Sequence, residues 1–143
     1  MENWLESERL HFAAGDGDLV AVQALVAEGR DVNATDSIGL TPLHYAAAGE
    51  HINVVRFLIA NGADVNAIDE ATAGDTPLGR VAQECSLAMA KVLLDAGANP
   101  LISGMMQLTP LDRAKRRKHP DGRKVYELLL GVARSRFHYY DSG

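Results

Sequence analysis

The sequence has one cysteine, no long apolar run and no basic start, and each of these absences narrows its class. Cys85 alone makes no internal disulfide and cannot build a thiolate metal site. No apolar run approaches the ~20 residues that a membrane-spanning helix needs. The first residues, Met1 to Glu6, are acidic and lack the basic and apolar regions of a secretion signal. We therefore expect a cytoplasmic protein that makes no contact with membranes.

The composition is that of a folded domain rather than a disordered chain. Apolar residues make up 47% of the 143 residues and charged residues 23%, which is enough apolar material to offset chain entropy. A chain of this length fits one domain, which buries roughly 68–70% of the surface that its unfolded chain exposes. We expect a single domain over residues 1–143.

The net charge of −5 hides a strong asymmetry along the chain. Residues 1–112 carry 5 Lys and Arg against 16 Asp and Glu, whereas residues 113–143 carry 9 against 3. The first part is therefore net −11 and the second part net +6. An acidic body with a basic end bears on how a partner is oriented and how fast it is encountered, rather than on the fold.

Two short motifs recur along the chain with the same period. A Thr-Pro-Leu triplet begins at Thr41, Thr76 and Thr109, which are spaced 35 and 33 residues apart. A second motif, Gly-Ala followed by Asp or Asn, begins at Gly62 and Gly97. Two interleaved motifs that keep one period predict a repeat architecture.

Each repeat predicts a pair of short helices. In the second repeat, Thr41 caps a helix and Pro42 occupies its first turn, where a missing N–H costs nothing. Leu43 and the alanines after it form an apolar stripe of small residues, which lets neighbouring helices approach closely. A second amphipathic helix follows and ends at Gly62, and the polar segment after it predicts a hairpin-like connector.

Segments 39–47 (Gly-Leu-Thr-Pro-Leu-His-Tyr-Ala-Ala) and 62–67 (Gly-Ala-Asp-Val-Asn-Ala) resemble the ankyrin-repeat family. The resemblance covers roughly residues 5–130. It implies an all-α repeat solenoid, a stack of helix-turn-helix units joined by short β-hairpin connectors, with a concave binding face. We expect four units, of which the first and last are caps, and a short tail: about 4–36, 37–69, 70–103, 104–137 and 138–143.

Some positions depart from the family pattern. The third unit carries two extra residues in segment 70–75, and the fourth has Gln107 where the units before it have glycine. These changes leave the geometry of both hairpins open. Glu50 and Cys85 stand between the helices of their units, where the family usually has glycine.

No arrangement of residues in the sequence points to catalysis, a cofactor or a metal. A phosphate-binding loop and a dinucleotide fingerprint are both missing, and no histidine has the ligand spacing of a zinc site. Cys85 lies beside Glu84 in a predicted turn, which is typical of a space-filling residue. His11 and His44 occupy the same place in successive units, where the resemblance implies a structural hydrogen bond to the adjoining hairpin. We therefore expect a protein that is not an enzyme and takes no cofactor.

The resemblance implies that hairpin tips and the inner face of the first helices bind a partner protein, as in an adaptor or an inhibitor. Those places hold mainly apolar, aromatic and arginine side chains, which are typical of protein contacts. The predicted contact residues are Ile38, Leu40, Tyr45, Asp75, Arg80, Met105, Met106, Leu108 and Arg113. Alternatively, the leucines and Ile38 among them pack between adjacent hairpins and stiffen the stack. Replacing Leu40 or Met105 with aspartate distinguishes these two interpretations. Substitution of a contact residue abolishes partner binding and leaves the melting temperature close to that of the parent, whereas substitution of a stiffening residue causes loss of the fold.

In one interpretation the basic run 113–119 contacts the acidic patch of a partner protein, which fits the charge asymmetry of the chain, and the run has two other interpretations. It indicates nucleic-acid binding, with aromatic residues of segment 137–140 as stacking groups, or a solvated capping helix whose cations favour its C-terminal end. The acidic remainder of the chain repels phosphates, so we expect no nucleic-acid partner. A third hypothesis is self-assembly through an apolar cap at Trp4-Leu5 or at segment 137–140. We expect a monomer instead.

Overall fold

Short helices joined by turns make up the part of the chain that the computed structural model describes. That part comprises residues 4–69, 74–117 and 122–140, with the backbone alone at residues 4 and 5. The helices are α1 (Trp4–Ser7), α2 (Arg9–Asp16), α3 (Leu19–Ala27), α4 (Pro42–Ala48), α5 (Ile52–Ala60), α6 (Pro77–Val81), α7 (Leu87–Asp95), α8 (Pro110–Lys115) and α9 (Gly122–Arg136). A single 3-10 turn, Met105–Gln107, precedes α8. The all-helical fold class expected from the sequence is confirmed.

Several sequence-based expectations fall outside the described ranges. The extra residues of the third unit include positions 70–73, the end of the basic run lies at 118–119, and the last residues of the tail are 141–143. The side chains of Trp4 and Leu5, named for a self-assembling cap, lie outside them as well.

Each Thr-Pro-Leu triplet starts a helix, as the sequence predicts. The hydroxyl of Thr41 accepts a hydrogen bond from the His44 N–H, and the His44 ring accepts one from the Thr41 N–H in return. Thr76 and Thr109 each accept the N–H three residues on, at 3.0 Å. These bonds satisfy N–H groups at the start of a helix that no helical carbonyl reaches.

The helices lie in two layers. The first helices of successive pairs, α2, α4, α6 and α8, pack against one another, and so do the second helices, α3, α5, α7 and α9. The largest buried side chains of the core are Val22, Leu43, Val54, Val55, Leu58, Leu78, Met89, Leu93, Leu94, Val125 and Leu129. None of the helices in the described ranges has both the length and the apolar character that crossing a bilayer requires.

The connectors between helix pairs are turns, and no residue in the described ranges is assigned to a β-strand. We call residues 36–40, 69–75 and 104–108 hairpins 2, 3 and 4. In each, the first backbone N–H donates to the last carbonyl, at 2.9, 3.1 and 2.9 Å respectively. Gly39 and Gly74 have φ angles of 83° and 71°, which residues with a side chain rarely adopt. The expected hairpin connectors are therefore present in their shortest form at hairpins 2 and 4. For hairpin 3, of which residues 70–73 lie outside the described ranges, the closing bond between Asp69 and Asp75 is present.

Hairpin 4 keeps a left-handed turn without glycine. Met106 and Gln107 both have a φ angle of 58°, and the Leu108 N–H donates to the Met105 carbonyl at 3.2 Å. Positive φ at both central residues is the type I′ arrangement, which strongly prefers Asn-Gly. A left-handed conformation costs a residue with a side chain roughly 1–2 kcal/mol. Hairpin 4 therefore carries backbone strain that glycine would relieve.

Two asparagines tie successive units together. Asn33 Nδ2 donates to the Gly62 carbonyl at 2.9 Å, and its Oδ1 accepts the Asp64 N–H at 2.7 Å. Asn66 makes the same two bonds one unit farther on, at 3.1 and 2.8 Å. Each side-chain amide therefore pairs a carbonyl and an N–H of the next unit, which lie at the end of a helix and lack helical partners.

His11 and His44 each bind the backbone of the connector that follows their helix pair, as the resemblance implies. His11 Nε2 lies 2.7 Å from the Ala34 carbonyl oxygen, and His44 Nε2 lies 2.9 Å from that of Asp75. Burial lowers the pKa of His44 below its ordinary value of 6.5, because the charged ring would lose solvation. The neutral ring serves both bonds of His44, donating at one nitrogen and accepting at the other.

A third histidine joins the first two units at the opposite end of their helices. His51 Nε2 donates to the Gly15 carbonyl at 2.9 Å. Its ring lies between the turns at Gly17 and Gly49, and a Cβ at either glycine would collide with it. These two glycines are therefore needed for close approach.

Glu50 joins the second and third units in the same region. Its carboxylate accepts hydrogen bonds from the N–H and the hydroxyl of Ser86, both at 2.8 Å, at the start of α7. A carboxylate is favourable at a helix N-terminus because of the helix dipole. Glu50 has a φ angle of 60° in a turn where the family usually has glycine, and this cap offsets the strain.

We predict that replacing Asn66 with alanine destabilises the protein by about 1–2 kcal/mol, because two neutral hydrogen bonds between units are lost. Urea unfolding followed by circular dichroism measures the change. Asn53, exposed on α5, is the matched control, and Asn53→Ala should leave stability within about 0.5 kcal/mol of the parent. Equal stabilities for the two variants would show that the asparagine bonds contribute nothing.

Candidate functional site

Equivalent positions on the first helices form a row across the stack. Tyr45, Arg80 and Arg113 each stand four residues after a capping threonine, and Phe12 stands 33 residues before Tyr45. Residues three and four positions later lie on the same side of the helix, or, in the third and fourth pairs, in the turn that directly follows it. We call the surface formed by these positions of α2, α4, α6 and α8 the inner face.

Two side chains of this row are bound to the acid that starts their own hairpin. The Tyr45 hydroxyl donates a short hydrogen bond to Asp36, and Arg80 Nη1 donates to Asp69 at 2.6 Å. The other oxygen of each acid accepts a backbone N–H from its own hairpin, at 2.9 and 2.7 Å. Burial, together with the hydrogen bond and charge of Asp36, raises the pKa of Tyr45 to about 12. Tyr45 is therefore a neutral donor at physiological pH.

Hairpin 4 lacks its own acid and uses one from hairpin 3. It begins with Gly104, at the place where the two earlier hairpins begin with aspartate. The carboxylate of Asp75 occupies the space beside Gly104, and a Cβ there would collide with it. Asp75 accepts the Met105 N–H at 3.2 Å. Glycine is required at position 104 because the carboxylate of the neighbouring unit has taken the place of a side chain.

Arg113 completes this connection between the third and fourth units. Its guanidinium donates to Asp75 at 2.8 Å and to the Gly79 carbonyl at 2.7 Å. The two side chains of the ion pair are only 11% and 5% exposed. Gly79 stands at the position that His44 has in the second unit, so the third unit cannot make the bond that His44 makes. Arg113 and Asp75 connect the third and fourth units instead.

The structure corrects the prediction for two of the nine contact residues. Leu40 and Asp75 are both only 4% exposed. Leu40 is part of the buried interior, as the stiffening alternative had it, and Asp75 connects two units. Neither side chain is available to a partner. Tyr45 and Arg113 keep part of their surface, and Arg80 is exposed although it is paired.

Three of the predicted contact residues are exposed apolar side chains on the turns. Ile38 in hairpin 2 is 45% exposed, and Met105 and Met106 in hairpin 4 are 54% and 79% exposed. Leu108 is half-buried at the end of hairpin 4. Hydrogen bonds close the backbone of hairpins 2 and 4, so these side chains are held in a defined arrangement.

Two further exposed apolar residues belong to the same surfaces and were missed from the sequence. Phe12, 49% exposed, begins the row on the inner face. Ile68, 39% exposed, directly precedes hairpin 3. Phe12 can be found from the sequence, because it stands one period of 33 residues before Tyr45. Ile68 stands where the preceding unit has Thr35, and that change from polar to apolar carries the signal for the second.

A groove of about 220 Å³ runs between α4 and α6 on the inner face. Small and apolar side chains form its floor, and charged residues form its edges: Ala47, Ala48, Val81 and Cys85, with Glu50, Arg80 and Glu84. Its depth comes from the alanines of α4, which place no bulk between the two helices. The groove can hold one apolar side chain of a ligand.

Cys85 forms part of the groove floor but is itself 2% exposed. Burial raises the pKa of its thiol to about 11, against the opposing effect of the nearby Arg117. A buried, protonated thiol is unreactive. The position is consistent with the space-filling role expected from the sequence.

Two arginines of the basic run are used inside the stack. Arg113 is paired as described, and Arg117 Nη1 donates to the Ala82 carbonyl at 3.0 Å. Arg136, at the end of α9, likewise donates to the Leu94 carbonyl at 3.0 Å. Among the described residues of the run, Lys115 and Arg116 are exposed, as the solvated capping helix expected from the sequence requires. In the part of the chain with described side chains, no three His, Cys, Asp or Glu residues converge as metal ligands would.

Comparison with known proteins agrees with the repeat pattern. The family model described as ankyrin repeats, in three copies, matches residues 10–104. This range covers the helix pairs α2–α3, α4–α5 and α6–α7 and ends within the connector before α8. A search of curated proteins finds no match to the chain.

We predict that Leu40→Asp destabilises the protein by about 3–5 kcal/mol, because it removes a buried leucine and buries a charge. Ile38→Asp, two residues away on the exposed side of the same hairpin, should change stability by less than about 0.5 kcal/mol. Thermal and urea unfolding measure both. A Leu40→Asp variant as stable as its parent would restore Leu40 as a contact residue.

We also predict that Cys85 reacts with a thiol reagent about 100-fold more slowly in the folded protein than in urea at pH 8. The folded pKa of about 11 lies above the ordinary thiol pKa of 9.0, which lowers the thiolate fraction at pH 8 by roughly that factor. The colour released from Ellman's reagent measures both rates. Rapid labelling of the folded protein would show an accessible thiolate at this position.

Proposed function

Because the chain belongs to the ankyrin-repeat family, whose repeats are generally protein–protein interaction modules, we propose that it binds a partner protein without catalysing a reaction. The binding surface is the concave groove formed by the inner face and the hairpin tips, and the role is that of an adaptor or inhibitor. We assign α8 and α9 to a fourth unit that closes the stack, so that one domain spans the chain. We propose a cytoplasmic monomer.

The observation that carries this proposal is the pair of exposed methionines on a strained turn. The chain places Met106 in a left-handed conformation that costs roughly 1–2 kcal/mol. Met105 and Met106 are 54% and 79% exposed, so most of their side-chain surface lies outside the core. Backbone strain that stability does not require is typical of binding sites. Methionine also adapts well to irregular partner surfaces.

The remaining geometry supports binding rather than chemistry. The titratable groups with shifted pKa values, His44, Tyr45 and Cys85, are each held neutral by burial or by a hydrogen bond inside the stack. No hydrogen bond joins Cys85 to a histidine in the described part of the chain. The stack is ordered by its own bonds, so little conformational entropy is lost when a partner binds.

Nucleic-acid binding is the weaker candidate. Arg113, Arg117 and Arg136 are engaged by Asp75 or by backbone carbonyls, and Arg123 pairs with Glu127 at 3.0 Å. A phosphate backbone needs cations that are free to contact it. The acidic remainder of the chain opposes such a ligand as well.

We predict that Met106→Asp abolishes capture of the partner and leaves the melting temperature within about 2 °C of the parent, since a 79% exposed side chain contributes little to stability. Affinity purification from the native host followed by mass spectrometry measures the capture. Val20, 76% exposed on the second helix α3, provides the control of equal chemistry. Val20→Asp should retain the partner. Retention by both variants would remove hairpin 4 from the binding surface.

A further inference from the structure

The inner face changes in character along the stack, and the change bears on the chemistry of a ligand. At the middle position of the first helices the residues are Phe12, Tyr45, Arg80 and Arg113. Three positions later they are Gly15, Ala48, Gln83 and Arg116, and four positions later they are Asp16, Gly49, Glu84 and Arg117. The first unit therefore presents an aromatic ring and an acid. The fourth presents three arginines.

Only one of the three arginines in the fourth unit is available to a ligand. Arg113 is held by Asp75, and Arg117 by the Ala82 carbonyl. Arg116 is exposed and makes no ion pair or side-chain hydrogen bond within the described residues. The charge of Arg113 is balanced by that of Asp75, so Arg116 is the arginine of this unit that a ligand carboxylate can reach. Arginine is well suited to bind carboxylates through two parallel hydrogen bonds.

The groove between α4 and α6 lies toward the middle of the same face, with an acidic residue, Glu50 or Glu84, on each helix side. Its alanine floor accepts an apolar side chain. Its acids repel a carboxylate, because Arg80, the cation at its edge, is already paired with Asp69. Asp16, on the first unit, repels one too. A ligand that crosses the stack therefore gains most when its apolar residue enters the groove and its acids point toward the fourth unit.

We propose that the partner segment is a peptide with an apolar residue followed or preceded by acidic residues, and that its acidic part lies on Arg116. This proposal rests on the proposed function and adds the chemistry and direction of the bound segment. Packed helices lie 8–10 Å apart, so Arg116 is about 15 Å from the centre of the groove. An extended chain spans ~3.3 Å per residue, which puts the acids about four or five residues from the apolar anchor.

The test uses a phage-displayed library of random 16-residue peptides, selected on the immobilised full chain. Selected peptides are synthesised, and their affinities are measured by fluorescence anisotropy for the parent, Arg116→Glu and Arg56→Glu. Arg56 is exposed on α5, in the second layer of helices, and gives the same change of charge away from the inner face. Melting temperatures of both variants show whether they are folded.

We expect the selected peptides to be enriched in Asp and Glu about four or five residues from an apolar residue. Their affinity should fall about tenfold in Arg116→Glu and stay unchanged in Arg56→Glu. Arg116→Ala should give a smaller loss, about threefold, and provides the measurement if the glutamate variant is unfolded.

Other outcomes overturn the proposal. Peptides without acids, whose binding is lost in Met106→Asp and kept in Arg116→Glu, would refute the acidic ligand and leave the proposed function intact. Failure to select any peptide that binds in solution would refute the linear ligand, while capture of a partner protein tests the proposed function separately. Single-stranded or duplex oligonucleotides that bind the parent and lose affinity in Arg116→Glu would assign the arginine to nucleic acid instead.

Discussion

Every unit of this stack leaves backbone groups at its turns that only side chains of a neighbouring unit satisfy. Helices of five to nine residues in the middle of the chain leave much of their backbone without helical hydrogen bonds. The side-chain amide of Asn33 and the ring of His44 each reach across a unit boundary to such groups. Because each unit depends on the next, the stability of the chain is a sum of unit and boundary contributions. A single unit does not fold alone.

The same constraint decides which residues remain for binding. Tyr45 and Arg113 are residue types that are common in protein contacts, yet both side chains are bonded to aspartates of the turns. What remains is a smaller set of side chains that no boundary needs, among them Met106 and Arg116. Burial of an ion pair normally requires excellent geometry to offset desolvation, and the bidentate contact of Arg113 with Asp75 provides it. The proposed binding surface therefore consists of side chains that the boundaries between units leave free.

Much of the fold can be predicted from the sequence, whereas the side-chain contacts between units can be predicted only in part. The threonine caps act within one turn of helix, so a local motif predicts them. His11 and His44 recur with the period and were placed correctly for that reason. The pair of Asp75 and Arg113 joins residues 38 positions apart and depends on a missing side chain at Gly104, which no local pattern indicates. Leu40 was misplaced because a residue beside a turn tip can point inward, and its direction depends on the packing of the neighbouring unit.

The glycine at position 104 has a consequence for how this chain can change by duplication of repeats. On the hairpin side, the first two boundaries use the same asparagine contacts, so a unit copied there makes the bonds that the existing units make. The last boundary is different, because Asp75 fills the space that an ordinary unit would fill with its own aspartate. A copied unit inserted before α8 would bring two carboxylates into one site. Insertion of a duplicated repeat is therefore compatible with the contacts in the first half of the stack and incompatible with those at its end.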